Sequence, residues 1–237
     1  NAVNTGCVRV YEYSDDSWTQ MGADIDGEGD NDRSGWSVSL SSDGSIVAIG
    51  APRNDANFPR LEYGTSTRAG HVRVFRYTKV WEAGTAENQW YGRYTLGWSQ
   101  LGQDLDGIFE YEECGRSVSL SSDGSVVAYT SKPYSPYAVT SASAGFGDPA
   151  DEAKRARNVI RVWRYNGVLW TRLDGLNLAE FDAPGADITA SLSGDGSVVA
   201  FTTRISGEYI DDGVARNFTR VYQYSDDSWT QLGGNIL

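Results

Sequence analysis

The chain contains the stretch Gly35-Trp-Ser-Val-Ser-Leu-Ser-Ser-Asp-Gly-Ser-Ile-Val-Ala-Ile49 and repeats it twice. The copies are Gly115-Arg-Ser-Val-Ser-Leu-Ser-Ser-Asp-Gly-Ser-Val-Val-Ala-Tyr129 and Asp187-Ile-Thr-Ala-Ser-Leu-Ser-Gly-Asp-Gly-Ser-Val-Val-Ala-Phe201. Each copy alternates polar and apolar residues, reaches an Asp-Gly pair, and continues into a short apolar run. This pattern predicts a half-buried strand, a tight turn and a strand that is buried on both faces.

A second pattern follows each copy and also precedes the first one. The residues Val72-Arg-Val-Phe-Arg-Tyr77 alternate, which indicates a third strand with Val and Phe inward and Arg73 outward. A Trp-x-x-Leu segment such as Trp98-Ser-Gln-Leu101 then indicates a short fourth strand. The aspartates of the three Asp-Gly pairs are interpreted as turn residues rather than ligands: Asp43, Asp123 and Asp195.

Four antiparallel strands that recur along a chain are typical of the blade of a β-propeller. The sequence therefore predicts an all-β fold, a β-propeller of four-stranded antiparallel blades with about three and a half blades present. We place a half blade at residues 6–22 and blades at about 35–102, 115–175 and 187–233, in one propeller segment over 1–237. A two-sheet sandwich is the alternative, but it does not require one motif in fixed order.

A ring of about three and a half blades does not close, and open blade edges invite strand pairing. The expected structure is therefore an incomplete or multi-chain ring. It would be either a fragment of a larger propeller or a ring that a second chain closes.

The repeat resembles the FG-GAP family, the blade type of the integrin alpha-chain propeller. The matching pieces are Gly35-Trp-Ser-Val38, Asp43-Gly44, Ala48-Ile-Gly-Ala-Pro52 and Gly70-His-Val-Arg-Val-Phe75. Ser34 stands where the family has the Phe of its name, and only the first complete copy carries Gly-Ala-Pro. The resemblance implies an extracellular or cell-surface location, because such repeats are common in proteins of that kind.

Composition narrows the classes of function. The 237 residues carry 20 Lys and Arg against 32 Asp and Glu, which gives a formal net charge of −12. A protein that binds phosphate backbones needs a basic face, so this balance argues against nucleic acid as a partner and against an anionic membrane surface. The sequence has no run of about 18 apolar residues, which argues against insertion into a membrane.

The densest acidic segment lies between the half blade and the first full blade. It places Asp24, Asp26, Glu28, Asp30 and Asp32 at alternate positions, with glycines among them. Hard cations such as Ca²⁺ take about six to eight oxygen ligands. These five carboxylates are therefore the candidate metal ligands, and Ca²⁺ is the candidate cofactor. The alternative is a solvated acidic connector between blades.

An insertion rich in aromatic residues separates the third and fourth strands of the first full blade. It supplies Trp81, Trp90, Tyr91 and Tyr94 as candidate ligand-binding residues, because exposed aromatic rings stack on sugars or anchor protein partners. The alternative is an extended hairpin that covers its own apolar surface. One glycosylation sequon begins at Asn217, and it would be used only in a secreted chain.

Residues suited to catalysis are sparse. His71 is the single histidine, which excludes a His-rich zinc site, and without a nucleophile motif it is interpreted as structural. The sequence has no Gly-x-Ser-x-Gly elbow, phosphate-binding loop or dinucleotide fingerprint. Cys7 and Cys114 either pair or remain two free thiols. We therefore expect no catalytic residues and no enzyme activity.

One functional prediction and two alternatives follow from these patterns. We expect a non-enzymatic, extracellular structural or adhesive repeat module within a larger assembly, because repetition without a singular chemical motif is typical of a rigid frame. Its partners would be other protein chains that complete the open blade edges, or surface glycans. The first alternative is a carbohydrate-binding propeller that uses the insertion at residues 81–98. The second is a glycoside hydrolase with paired carboxylates.

Overall fold

The computed structural model describes residues 3–55, 67–82, 93–108, 111–131, 159–173, 187–204 and 218–236. Within these ranges the regular elements are β-strands, numbered here in chain order. They are β1 Cys7–Val8, β2 Tyr11–Ser14, β3 Ser17–Gln20, β4 Ile25–Asp26, β5 Ser37–Leu40, β6 Ile46–Ala51, β7 His71–Glu82, β8 Arg93–Gln100, β9 Leu105–Asp106, β10 Ser117–Leu120, β11 Val126–Thr130, β12 Ile160–Tyr165, β13 Trp170–Arg172, β14 Asp187–Leu192, β15 Val198–Arg204, β16 Phe218–Ser225 and β17 Ser228–Gln231.

The strands form antiparallel sheets that follow one another along the chain. The first full sheet has the order β5-β6-β7-β8, with β9 added on β7. The second and third sheets have the orders β10-β11-β12-β13 and β14-β15-β16-β17. Before them, β1 pairs with β4 and β2 pairs with β3. The prediction of an all-β fold made of antiparallel strands is confirmed.

The Asp-Gly turn closes each first hairpin through hydrogen bonds to its own carboxylate. The Oδ1 atom of Asp43 accepts from the Ser41 hydroxyl at 2.6 Å and from the Ser45 amide at 2.9 Å. Gly44 has a φ of +71°, a conformation that side chains disfavour. The other two turns repeat these contacts at Asp123 and Asp195. The interpretation of these aspartates as turn residues is therefore confirmed.

The beginning of the third strand is covered on both faces in the first and second full sheets. Arg73 in β7 is 7% exposed and Arg161 in β12 is 5% exposed. The expectation that Arg73 points outward is wrong, because the connection from the preceding sheet lies over it. The Arg73 guanidinium donates to the carbonyl oxygen of Asp26 at 2.7 Å.

Consecutive sheets are joined by the serines of their first strands. The hydroxyl oxygen of Ser39 in β5 accepts from the amide of Leu120 in β10 at 3.0 Å. The hydroxyl oxygen of Ser119 accepts in the same way from Leu192 in β14 at 2.9 Å. The serines therefore satisfy the backbone of the following strand, while the apolar residues between them face the preceding sheet.

The apolar core lies between the sheets rather than inside any one of them. Val118 and Leu120 pack in one cluster with Ile46 and Ala48 of the preceding sheet. A second cluster joins the second and third sheets, and a third joins β1 and β4 to β6 and β7. Among the described residues, each sheet thus buries its apolar surface against its neighbours.

The structure describes both cysteines, whose pairing the sequence leaves open. Cys7 is exposed and Cys114 is buried, and the two are free thiols rather than a disulfide. In the part of the chain that the structure describes, no helix is long and apolar enough to pass through a bilayer.

Replacement of Gly50 tests the spacing between the first and second sheets. A Cβ on Gly50 would lie 2.1 Å from the carbonyl oxygen of Gly115, so Gly50→Ala must push the sheets apart. We expect a loss of about 3 kcal/mol in the free energy of unfolding, measured by urea denaturation. The control is Gly234→Ala, where a Cβ meets nothing within 4 Å. Equal stability of the two variants would contradict the packing.

Acid titration tests the turn carboxylates. Hydrogen bonds from serine hydroxyls and amides lower the pKa of Asp43 and of Asp195 to about 2. A lowered folded-state pKa contributes stability above the unfolded value of about 3.9, and that stability disappears as the pH falls toward 2. We therefore expect a shallower loss of stability between about pH 4 and pH 2 in the Asp43→Asn, Asp195→Asn double variant than in the wild type.

Asp15→Asn is the control for this titration, because Asp15 lies in an exposed turn at φ +50°, which Asn tolerates. The control should follow the wild type. If the double variant followed it as well, the turn carboxylates would not contribute to acid unfolding.

Candidate functional site

The single histidine of the chain begins the third strand of the first full sheet. His71 pairs with Ala51 of β6 on one side and with Asp106 of β9 on the other. Its side chain is 2% exposed. No hydrogen bond joins the imidazole to any other described residue. The ring is thus a buried imidazole, and carboxylate oxygens lie 3.8 Å and 4.0 Å from its Nδ1 atom.

Carboxylates from two different connections face this imidazole. Glu28, in the loop that follows β4, places its Oε2 atom 3.8 Å from His71 Nδ1. Asp104 immediately precedes β9, and one ligand atom each of Glu28, His71 and Asp104 lie within 4.8 Å of one another. Asp106 adds an Oδ1 atom 4.0 Å from His71 Nδ1. The three residues Glu28, His71 and Asp104 are called the His71 cluster below.

The charge state of the His71 cluster follows from its burial. Desolvation lowers the pKa of His71 to about 4, with the Arg73 charge lowering it further and the Asp104 charge opposing the shift. Desolvation also raises the pKa of Glu28, and Arg73 opposes that change. At neutral pH the imidazole is therefore uncharged, and its nitrogen lone pair is available to a Lewis acid.

Arg73 takes a different partner from the matching arginines of the first and last repeats. Arg9 forms an ion pair with Asp24 at 2.7 Å, and Arg220 donates to Asn235 at 2.7 Å, in each case to the residue fifteen positions later. Arg73 instead lies 3.3 Å from Glu28 Oε1. Asp104, the counterpart of Asp24, keeps a hydrogen bond from Gln100 at 2.5 Å and turns toward His71.

The five predicted metal ligands do not share one site. Asp24 is held by Arg9, and Asp30 accepts from the amide of Val3 at 3.1 Å. Asp32 is buried and accepts from the Gly29 amide and the Asn54 side chain, both at 2.8 Å. Asp26 and Asp24 group with Cys7 at the exposed surface, and only Glu28 joins the His71 cluster. Binding of Ca²⁺ by all five together stays a prediction that this arrangement does not favour.

The aromatic insertion is described only in its arms. β7 and β8 continue as a hairpin to the pair Glu82–Arg93, and the rings of Trp81 and Tyr94 meet with centroids 5.0 Å apart. Both rings are mostly exposed. Trp90, Tyr91 and Asn217 lie outside the described residues.

A buried polar cluster occupies the matching place in the second repeat. Arg161 forms an ion pair with Glu112 at 2.5 Å and donates to the sulfur of Cys114 at 3.1 Å. Burial raises the pKa of the Cys114 thiol well above its usual value, so the thiol stays protonated. In this cluster the arginine is paired with a carboxylate, as Arg73 is with Glu28, but no histidine is present, and we assign it a structural role.

Sequence reasoning missed the His71 cluster although its signal was present. Alignment of the repeats places His71 at the position of Cys7, and Asp104-Leu-Asp-Gly107 at that of Asp24-Ile-Asp-Gly27. The pairing of β7 with β9 then brings the histidine beside the second Asp-x-Asp segment. The contribution of Glu28 depends on the path of a loop, which the alignment does not give.

Comparison with known proteins finds solved structures that match the chain, but no family model and no curated relative. One matching solved structure is a Bacteroides uniformis ATCC 8492 protein provisionally assigned as a 6-phosphogluconolactonase. Its identity is 10% and its TM-score is 0.47, over 98% of this chain and 49% of that one. Another comes from a study of two prolyl endopeptidases, with 13% identity and a TM-score of 0.41, over 98% of this chain and 28% of that one.

These matches correct the predicted function. Both matched structures come from proteins with enzyme names, and neither name refers to adhesion or to a structural repeat module. The prediction of a structural or adhesive repeat module is therefore wrong, whereas the expected absence of enzyme activity and the expected extracellular location stay predictions. The chain spans about half of the first matched protein and about a quarter of the second. Similarity this low transfers neither activity to this chain.

Proton NMR tests the state of the histidine without ambiguity, because the chain has only one. We expect the imidazole resonances of His71 to titrate with a midpoint near pH 4. Because the folded pKa lies below the unfolded value of about 6.5, stability should also fall as the pH drops from about 6.5 toward 4. A midpoint near 6.5 would show a solvated ring and would contradict the site geometry.

Proposed function

We propose that this chain is a metal-binding β-propeller module that holds one divalent transition-metal ion on Glu28, His71 and Asp104. The observation that carries the proposal is the buried, uncharged imidazole that faces two carboxylates. A bound cation would accept the lone pair of the imidazole nitrogen and offset the repulsion between the two carboxylates. The proposal concerns binding; the absence of enzyme activity stays a prediction.

The ligand chemistry selects the class of ion. Calcium and magnesium favour oxygen donors, whereas an imidazole with carboxylates suits Zn²⁺ and its neighbours. Three protein ligands leave a fourth position for water on Zn²⁺. Glu28 is half-exposed, so water and the ion reach the site from its side. We therefore name Zn²⁺ as the representative ion in place of Ca²⁺.

The proposed ion joins segments that are far apart in sequence. Glu28 belongs to the connection before the first full sheet, and Asp104 belongs to the connection after it, while His71 lies in the sheet itself. An ion that binds only the folded state stabilises it, by about 2.7 kcal/mol at one hundred times its dissociation constant. The proposed role is therefore a clamp between successive repeats.

We also propose that the sheets are blades of a β-propeller. Three sheets in chain order, each packed on the next through its first strand, support the β-propeller interpretation. The closely packed Gly50 within Gly-Ala-Pro supports the resemblance to FG-GAP repeats, since that segment meets Gly115 of the next sheet.

Calorimetric titration with Zn²⁺ tests the proposed function. The wild type should bind one ion, and Glu28→Gln and Asp104→Asn should each weaken binding at least about 100-fold, because each removes an anionic ligand. The matched control is Asp24→Asn, since Asp24 holds the repeat position of Asp104 but is paired with Arg9. Cys7→Ser is a second control that removes the exposed thiol. Both controls should keep the wild-type affinity.

The pattern across these variants decides the outcome. Unchanged affinity in Asp104→Asn would overturn the proposed site. Loss of binding in Cys7→Ser or Asp24→Asn would move the ion to the exposed group of Cys7, Asp24 and Asp26. A parallel titration with Ca²⁺ should give weaker binding, and tighter Ca²⁺ binding would favour the five-carboxylate loop instead. The proton spectrum of each variant reports whether it is folded.

A further inference from the structure

The first strand of the first full sheet leaves apolar side chains in water that its copy buries. Val118 and Leu120 of β10 are 8% and 7% exposed, whereas Val38 and Leu40 of β5 are 53% and 49% exposed. The two strands have the same sequence, Ser-Val-Ser-Leu. The difference therefore comes from the neighbour: β10 packs on β5 and β6, and no described residue packs in that way on β5 from the other side.

A strand edge without a pairing partner lies beside this apolar face. In the first full sheet, the residues from His71 to Arg76 pair with β6 on one edge. The matching residues, 7–12, pair with β4 and β3 on the other edge only, within the described part of the chain. An unpaired strand edge thus lies next to an exposed apolar face. In each later sheet, a second strand pairs with the corresponding edge, and the preceding sheet covers the corresponding apolar face.

We propose that this surface binds a two-stranded β-hairpin of the chain's own repeat type, with alternating Ser and apolar residues in its first strand and an apolar second strand. Its second strand would pair antiparallel with residues 7–12, as β6 pairs with β7. The serines of its first strand would accept from the Leu40 amide, as Ser39 accepts from Leu120. The bound hairpin would cover the side chains of Val38 and Leu40.

We infer this occupant because the chain already forms the same kind of interface twice. The β5–β10 and β10–β14 junctions both use a serine hydroxyl as acceptor for the amide of a leucine. They both bury the apolar residues of the following first strand against the preceding sheet. A hairpin of another pattern would offer neither the hydroxyls nor the matching apolar face. This inference does not depend on the proposed metal site.

A fusion protein tests the inference on the full chain. A second copy of the hairpin Gly115–Thr130 is placed ahead of residue 1 through a Gly-Ser linker of about ten residues, which gives a high effective concentration. The matched control fusion carries Val118→Asp and Leu120→Asp in the added copy only. The readout is amide hydrogen exchange at Arg9, Tyr11 and Leu40, whose amides would face the added hairpin, compared with the unfused chain.

The first fusion should slow exchange at these amides about 100-fold, and the control fusion should leave them as in the unfused chain. Val38→Asp in the chain should abolish the protection, whereas Thr189→Asp, on an exposed position of β14, should not. Equal exchange in both fusions would overturn the inference. So would an unfused chain that forms a dimer sensitive to Val38→Asp, because a second copy would then be the occupant.

Discussion

The rest of the structure depends on one contact, in which the first strand of each full sheet packs on the first strand of the preceding sheet. Serine hydroxyls on one face accept backbone amides of the following sheet, and apolar residues on the other face fill the space toward the preceding sheet. The close approach of Gly50 to Gly115 fixes the separation. Because no single sheet has a core of its own, the stability of each repeat depends on its neighbours.

This packing also creates the candidate metal site. It lays the connection that carries Glu28 over the beginning of β7, so that His71 and Arg73 lose their access to water. Arg73 turns to Glu28 and the carbonyl of Asp26, and no described arginine pairs with Asp104 as Arg9 pairs with Asp24. A neutral imidazole between two carboxylates is the result. The second repeat has the Arg161–Glu112 pair but no histidine at the matching position.

Much of the fold could be predicted from the sequence, because strand, turn and strand order all follow from alternation and from Asp-Gly pairs in a repeated unit. The burial of Arg73 could not, since alternation within one strand says nothing about a connection that crosses it. For the site, the acidic segment was recognised, but its carboxylates were assumed to converge. The structure uses Asp24 and Asp32 in protein contacts and leaves Glu28 to a histidine that was interpreted as structural. The path of the loop that follows β4 determines which of these carboxylates contact protein groups and which one faces the histidine. Patterns in a single sequence do not encode that path.

X-ray absorption at the zinc edge on protein loaded with one Zn²⁺ is the measurement that tests the central claim most directly. The account predicts a first shell of nitrogen and oxygen at about 2.0–2.2 Å, with the outer-shell scattering of one imidazole and no sulfur. A sulfur atom at about 2.3 Å would place the ion on Cys7, and a shell without imidazole would remove His71 from the site. Either result would contradict the assignment of the metal to the buried histidine.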